Sequence, residues 1–298
     1  MITAAQQAAQ RNRDTIFVED GEVLSLQSFP GDQFVMRLRV PRCASAAKPG
    51  NFVHISCDDS RPMRRPMSIM RARDEWIEIL FKVVGDGLRL LSRKGPGDCL
   101  SVLGPIGKPF SPSLERPNTL LVGGGVGIPP MVFVADHLRS EEGNWMPLAI
   151  LGSEIPFPFD RVPSQLATPW LDKRLNSAMP LLESWGVPSR LATLAGFEGC
   201  FNGYVTDLAD QWLSTLSIEE LAKTEVFACG PTPMLKAVAK LAASYELPCQ
   251  VSLEEFMACA VGGCAGCAVK IETPEGPAMK RVCVDGPVFD AATVMWDS

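Results

Sequence analysis

The stretch TLLVGGGVGIPPMVFVADHL, residues 119–138, decides the fold. Thr119 to Val122 is a short apolar run, glycines punctuate it from Gly123 to Gly127, and an apolar helical pattern follows from Pro129 to Leu138. That is strand, tight turn, helix. The pattern recurs downstream. Met146 to Leu151 is another apolar run ending at Gly152-Ser153, and Glu225 to Ala228 leads into Cys229-Gly230-Pro231. A helix from Pro233 to about Ser244 is expected next, with Thr232 as N-cap and Pro233 at the first helical position, where a missing N–H costs nothing. Strands alternating with helices imply a parallel α/β sheet over residues 115–250. Inside it, the proline-rich stretch 156–188 has little period and reads as a loop-rich insertion.

Upstream the periodicity changes. Residues 14–114 hold short strand-like runs separated by Gly and Pro, among them Phe34 to Val40, stopped by Pro41, and Trp76 to Val84, ended by Gly85-Asp86-Gly87. Such spacing indicates an antiparallel barrel or sandwich.

Downstream, residues 251–298 are too few for an ordinary independent core, and domains this small usually need a metal or disulfides. Cys259, Cys264, Cys267 and Cys283 supply the former. The spacing C-x4-C-x2-C with a distant fourth cysteine is that of a plant-type [2Fe–2S] site. Soft thiolates suit iron, and Gly262, Gly263 and Gly266 let the backbone curl around sulfur and aim N–H groups at it. A zinc site is the competing reading, although zinc ribbons pair two C-x2-C knuckles and this chain has one. Ser252 to Glu255 has the form of a capping box, so a short helix is expected to feed the loop. The other six cysteines, Cys43, Cys57, Cys99, Cys200, Cys229 and Cys249, are scattered and are expected in the core.

Composition narrows the function classes. With 298 residues, 46% of them hydrophobic, the chain can bury two or three cores. Its net charge of −6 leaves no basic footprint for nucleic acid. The opening MITAAQQAAQRNRD has no apolar leader segment, and Leu120–Ala135 is too short and too interrupted to span a bilayer. A cytoplasmic protein with no membrane contact is expected.

Two further motifs carry weaker signals. In Arg64-Arg65-Pro66-Met67-Ser68-Ile69, Arg65 can face a diphosphate with its fork of donors, and Ser68 a ring nitrogen. A surface turn with solvated arginines competes. The glycine loop is not G-x-G-x-x-G, because Pro130 takes the last position, but Gly123, Gly124, Gly125, Val126 and Gly127 still allow a phosphate close approach to a helix start. A purely structural turn competes there. Cys229 follows a strand at the carboxyl edge of the sheet, where ligands bind; a buried inert thiol is its alternative.

Taken in order, these motifs resemble the ferredoxin–NADP reductase superfamily and, within it, the iron–sulfur electron-transfer subunits of dihydroorotate dehydrogenase B. The resemblance rests on RRPMSI (64–69), LFKVVGDGLRLLS (80–92), VLGPIGKPF (102–110), GGGVGIPPM (123–131), ACGPTPML (228–235), SLEEFMACAVGGCAGC (252–267) and CVDGPVF (283–289). It implies three regions: an antiparallel FAD-binding β-barrel (14–114), a parallel-sheet NAD-binding α/β domain (115–250) and a small C-terminal [2Fe–2S] domain (251–298). It implies FAD bound by Arg65, Pro66, Met67 and Ser68, by Leu80, Phe81 and Lys82, and by Gly87 and Leu88. It implies NAD(H) over Gly123 to Gly127 and Cys229, Gly230 and Pro231, with Ser68 and Cys229 beside the reacting rings. The expected partner is an FMN-containing dihydroorotate dehydrogenase catalytic chain in a heterotetramer, two of each. A hydrogenase, glutamate synthase or transhydrogenase complex is the alternative assembly. The chain departs from the family pattern at Leu88, where a threonine is usual, and at Gly152-Ser153-Glu154, where a basic sequence is.

Overall fold

The architecture is that of a computed structural model, which describes residues 15–296. The opening residues 1–14, on which the absence of a leader was argued, lie outside the described residues. Six antiparallel strands, β1 (Phe17–Phe29), β2 (Gln33–Arg39), β3 (Phe52–Ile55), β4 (Arg65–Arg73), β5 (Trp76–Lys82) and β6 (Cys99–Ile106), close a barrel in the order β1-β2-β5-β4-β3-β6. Closure comes from β1 pairing with β6, Phe17 opposite Gly104 through Glu22 opposite Cys99. Alternate residues fill the interior: Val53, Ile55, Met67, Ile69, Ile77, Ile79 and Phe81 share one core. Their neighbours Phe52, Ser68 and Met70 therefore point outward.

The second layer is a seven-stranded sheet of β7 (Asn118–Gly124), β8 (Met146–Gly152), β11 (Ser189–Thr193), β12 (Phe201–Asn202), β13 (Thr224–Cys229), β14 (Cys249–Ser252) and β17 (Val288–Asp290). Their order across the sheet is β12-β11-β8-β7-β13-β14-β17. All neighbours are parallel except β17, which runs antiparallel to β14. Every residue of β7 and β13 is buried, as central parallel strands covered on both faces require. From β7 the chain first runs outward to β8, β11 and β12, then returns to the other side with β13 and β14. The order thus reverses between β7 and β13.

The helix Ile128–Ser140 locks barrel and sheet together. Its Phe133 joins the barrel core, and its buried Asp136 pairs with Arg73 of β4 and with Arg139. The insertion 156–188 is irregular apart from the two-residue strands β9 (Val162–Pro163) and β10 (Ser177–Ala178) and the helical turn Pro180–Ser184. Arg190 of β11 holds it by donating to the Leu166 carbonyl at 2.7 Å and to the Thr168 hydroxyl at 2.7 Å.

Three local expectations are corrected. The helix after Cys-Gly-Pro runs Thr232–Ser244 with Pro231 at its cap, so Thr232 lies inside the first turn and makes no side-chain cap. No helix follows Ser252. That residue ends β14, opposite Val288 on one side and Cys229 on the other, and its hydroxyl bonds the Cys229 thiol. Strand pairing has taken the groups a capping box would use. Cys99, at the exposed start of β6, is not in the core, whereas Cys43, Cys57, Cys200, Cys229 and Cys249 are buried.

The cysteine-bearing segment is joined to the sheet by more than its own loop. Beyond the hairpin β15 (Ala268–Thr273) and β16 (Gly276–Arg281), the chain returns as β17 to form the sheet's edge. Cys267 and Cys283 lie in the same apolar cluster as Leu120, Val226 and Val251 of the sheet.

Candidate functional site

β4 starts at Arg65, which sits opposite Ile55 in the ladder, with Ser68 opposite Phe52. Arg65 donates through Nη1 to the carbonyls of Met63 at 2.8 Å and Arg64 at 3.1 Å. Its other edge lies over Gly87: a Cβ there would come 3.2 Å from Nη2 and 3.3 Å from Nε. Gly87 and Leu88 fall in the first turn of the helix Asp86–Leu91, which has no side-chain cap, so its leading amides have no intrahelical acceptor. Gly85 just before it has φ +90° and open space where a side chain would stand. A guanidinium facing unengaged amides across a glycine fits a diphosphate. Leu80, Phe81 and Lys82 continue the wall in β5. Phe81 points inward and stacks on Phe34 at 5.4 Å, so only its backbone is offered outward. Ser68 is half-buried on the outer face. Met70, two residues on and on the same face, packs in the core that also holds Ile128 and Cys229.

The glycine loop and the Cys-Gly-Pro turn lie together at the point where strand order reverses. Gly123 and Cys229 are ladder partners, and open α/β sheets bind ligands beyond the strand ends at such a switch point. The glycines divide by role. A Cβ on Gly127 would lie 2.3 Å from the Cys229 carbonyl oxygen, and one on Gly124 2.5 Å from Met234 Sδ. Those two permit close packing. Gly125 instead has φ +55° with nothing within 4 Å, and with Val126 it is half-exposed. The turn Gly125–Gly127 feeds directly into the helix Ile128–Ser140. Cys229 is 1% exposed. Burial first, then the charge of Glu254, pushes its thiol well above the usual range, so it is no ready thiolate.

The four cysteines form two pairs. Cys267 Sγ stands 3.3 Å from Cys283 Sγ, and both are buried. Cys259 and Cys264 lie nearer the surface, with the Cys264 amide donating to Cys259 Sγ at 3.4 Å. The Gly266 amide donates to Cys264 Sγ at 3.4 Å. Burial pushes the Cys259 thiol up, but the amides of Val261, Cys264 and Gly263 together with the Cys264 thiol outweigh it and bring it down to about 7. Cys283 is pushed up to about 12, by burial and then by the Cys267 thiol. Two thiol pairs, one wrapped in amides, fit two irons bridged by sulfide. Among the described residues no three metal-ligating side chains close on a single point. Of the three glycines expected to curl the loop, Gly262 is left-handed, and Ala260 and Ala265 join it in place of Gly263 and Gly266. Arg281 braces it, donating to the Gly262 carbonyl at 2.8 Å while Asp285 accepts from the Arg281 amide.

Sequence reasoning passed over Arg281, Asp285 and Glu254, whose only signal was closeness in sequence to the cysteines. It set His54 aside as remote from the cysteines, because the two lie far apart in the sequence.

The family described as the iron–sulfur cluster binding domain of dihydroorotate dehydrogenase B matches residues 254–295. A relative from Caldanaerobacter subterraneus subsp. tengcongensis, named dihydroorotate dehydrogenase B (NAD(+)), electron transfer subunit, is 34% identical over 83% of this chain and 87% of its own. One of the same name from Desulforamulus reducens is 32% identical over 94% and 99%. Among solved structures, that of an NADH-dependent reduced ferredoxin-NADP oxidoreductase superposes with TM-score 0.74 and 26% identity, covering 94% of this chain and 91% of that one. A ferredoxin reductase of carbazole 1,9a-dioxygenase, at TM-score 0.58 and 21% identity over 78% and 67%, shares the fold. Barrel, switch-point sheet and paired thiols thus occur here in a sequence matched along nearly its whole length, and the chain belongs to the family of dihydroorotate dehydrogenase B electron-transfer subunits.

Proposed function

We propose that this chain carries electrons between an FMN-containing dihydroorotate dehydrogenase catalytic chain and NAD, by way of a [2Fe–2S] cluster and FAD. The observation that carries this is one continuous apolar cluster joining Phe52 of the barrel wall, Leu120 and Val226 of the sheet, and Cys267 and Cys283. It packs the three regions against one another. FAD, when bound, couples the two-electron chemistry of nicotinamide to one-electron carriers.

The chain's own residues bind and orient. The Arg65 guanidinium holds the flavin diphosphate with the amides at Gly87 and Leu88, and the outer face of Pro66–Ser68 with the backbone of Leu80–Lys82 lines the ring. Gly125 and Val126 present their backbone to the nicotinamide dinucleotide, while Gly123, Gly124 and Gly127 let the loop seat against Cys229, Gly230 and Pro231. Cys229 supplies a neutral wall to the nicotinamide pocket, and Ser68 a hydroxyl. Cys259, Cys264, Cys267 and Cys283 hold the irons. No helix among the described residues is long and apolar enough to cross a membrane; a cytoplasmic complex of two chains of each kind completes the reading.

Co-purification of the chain with its catalytic partner, followed by an assay of dihydroorotate-dependent NADH formation, tests it. The expected result is a rate that requires both chains. A partner that reduces NAD equally well alone overturns it. The likeness to a ferredoxin-NADP oxidoreductase favours one other assembly, a transhydrogenating complex, in which the co-purifying chain would reduce ferredoxin and leave dihydroorotate untouched.

A further inference from the structure

His54 is a buried imidazole that the function above leaves unused. It lies in β3, whose four residues are all buried. Val53 and Ile55 point into the barrel, whereas Phe52 joins the core that contains Ala260, Cys267 and Cys283. Strand side chains alternate, so His54 shares the outward side of Phe52, toward the cysteine-bearing segment. Its relative exposure is 0%, and neither ring nitrogen closes a hydrogen bond. The ring instead faces the backbone carbonyls of Arg64 and Met257. Arg64 precedes the flavin-binding Arg65, and Met257 stands two residues before Cys259.

The flavin side of this contact is rigid. Arg64 Nη1 donates to the His54 carbonyl at 3.1 Å and to the Ser101 carbonyl at 2.7 Å, and Nη2 donates to the Ser101 hydroxyl at 2.7 Å. On the loop side, residues 253–258 form neither helix nor strand. Burial, then the charges of Arg64 and Arg65, lowers the His54 pKa to about 4. The ring is therefore neutral, with a single N–H. One N–H facing two carbonyls cannot satisfy both, so the ring stands between strand and loop without belonging wholly to either. An apolar side chain would fill the space without burying unmatched nitrogens.

We propose that His54 is a positioning residue, an imidazole spanning the carbonyls of Arg64 and Met257 that sets how closely the cluster loop approaches the flavin-binding strand. The proposal rests on the reading that Arg65–Ser68 serve FAD and the four cysteines serve the cluster. Electron transfer between flavin and cluster slows as their separation grows, so a single spacer at this junction has leverage.

The chain contains two histidines, so labelling with [15N]histidine gives two imidazole signals in the cofactor-loaded protein. His137, on the partly exposed face of the helix Ile128–Ser140, is the reference. The expected result is a neutral His54 ring whose N–H is protected from solvent exchange. On chemical reduction of the cluster, its signals should broaden while those of His137 stay sharp. In rapid mixing with NADH, His54→Leu should reduce its flavin as wild type does but its cluster about tenfold more slowly. His54→Gln, which keeps an amide donor at the same place, should recover to within about threefold. A His54 ring that exchanges freely or keeps sharp signals in the reduced protein overturns the proposal, even where the leucine variant does not fold. So does a glutamine variant as slow as leucine, which would mark a packing role. A preparation with no iron–sulfur absorption overturns the functional reading itself, and this proposal with it.

Discussion

Strand β4 and the loop that bears Cys259, Cys264 and Cys267 lie on either side of His54 and are built on opposite principles. In β4 and β5 the outward residues Pro66, Ser68, Leu80 and Lys82 are alternate positions of a closed barrel, and their neighbours inside it are core side chains such as Met67, Ile69 and Phe81. Strand pairing fixes where Ser68 stands, and Arg65, at the strand's first position, is held over Gly87 by its bonds to the Met63 and Arg64 carbonyls. The loop from Leu253 to Cys267 has no ladder and no helix. It is held by amides on sulfur, by left-handed residues and by the Arg281 brace, and its last two anchors are the buried thiols Cys267 and Cys283. A barrel is a preorganised wall, whereas a loop of this kind derives its order from what it ligates.

The sharpest break of that contrast is Cys267→Ser. It should abolish iron binding and open the loop to proteolysis between 253 and 267, while FAD absorption and the barrel's unfolding transition stay close to wild type. Loss of FAD along with iron would mean that the two regions fold as one. Next in size is Gly127→Ala, which sets a methyl against backbone atoms of Cys229 that cannot move aside. It should cost about 3 kcal/mol in chemical denaturation, against about 1 kcal/mol for Gly125→Ala, where only the left-handed backbone objects. Equal costs would erase the division between packing and ligand-facing glycines.

Arg65→Ala should weaken FAD binding by roughly ten- to a hundredfold, the value of a charge-assisted hydrogen bond or two, with iron content unaltered; equilibrium dialysis of the flavin measures it. The smallest effect is expected from Arg281→Ala. It removes one neutral acceptor's bond and an ion pair, about 1 kcal/mol, and should show as faster cluster loss to a chelator with no change in FAD affinity. An unchanged chelation rate would show that the thiols order the loop without the brace.

Much of this site was readable in one dimension because its chemistry is local. Thiol spacing, a glycine turn between a strand and a helix, and an Arg-Pro pair before a strand all lie within a few residues of chain. The errors have a common cause. Ser252 looks like a helix cap to its neighbours, yet it serves two strands, Cys229 on one side and Val288 on the other. Those partners lie 23 and 36 residues away in sequence, and no local pattern announces them.

A barrel followed by an alternating α/β region was legible in the order of residues, as were a thiol spacing that suits iron and a glycine turn that suits a dinucleotide. How these parts are coupled emerged from tertiary packing. It returned the tail as the antiparallel strand β17 and buried Cys229 behind Gly127. It also pinned the helix Ile128–Ser140 to the barrel through Arg73 and Asp136, and set His54 between strand and loop. Local propensity and spacing are written in neighbouring residues, whereas burial and edge pairing are settled by which distant surfaces gain most from leaving water together.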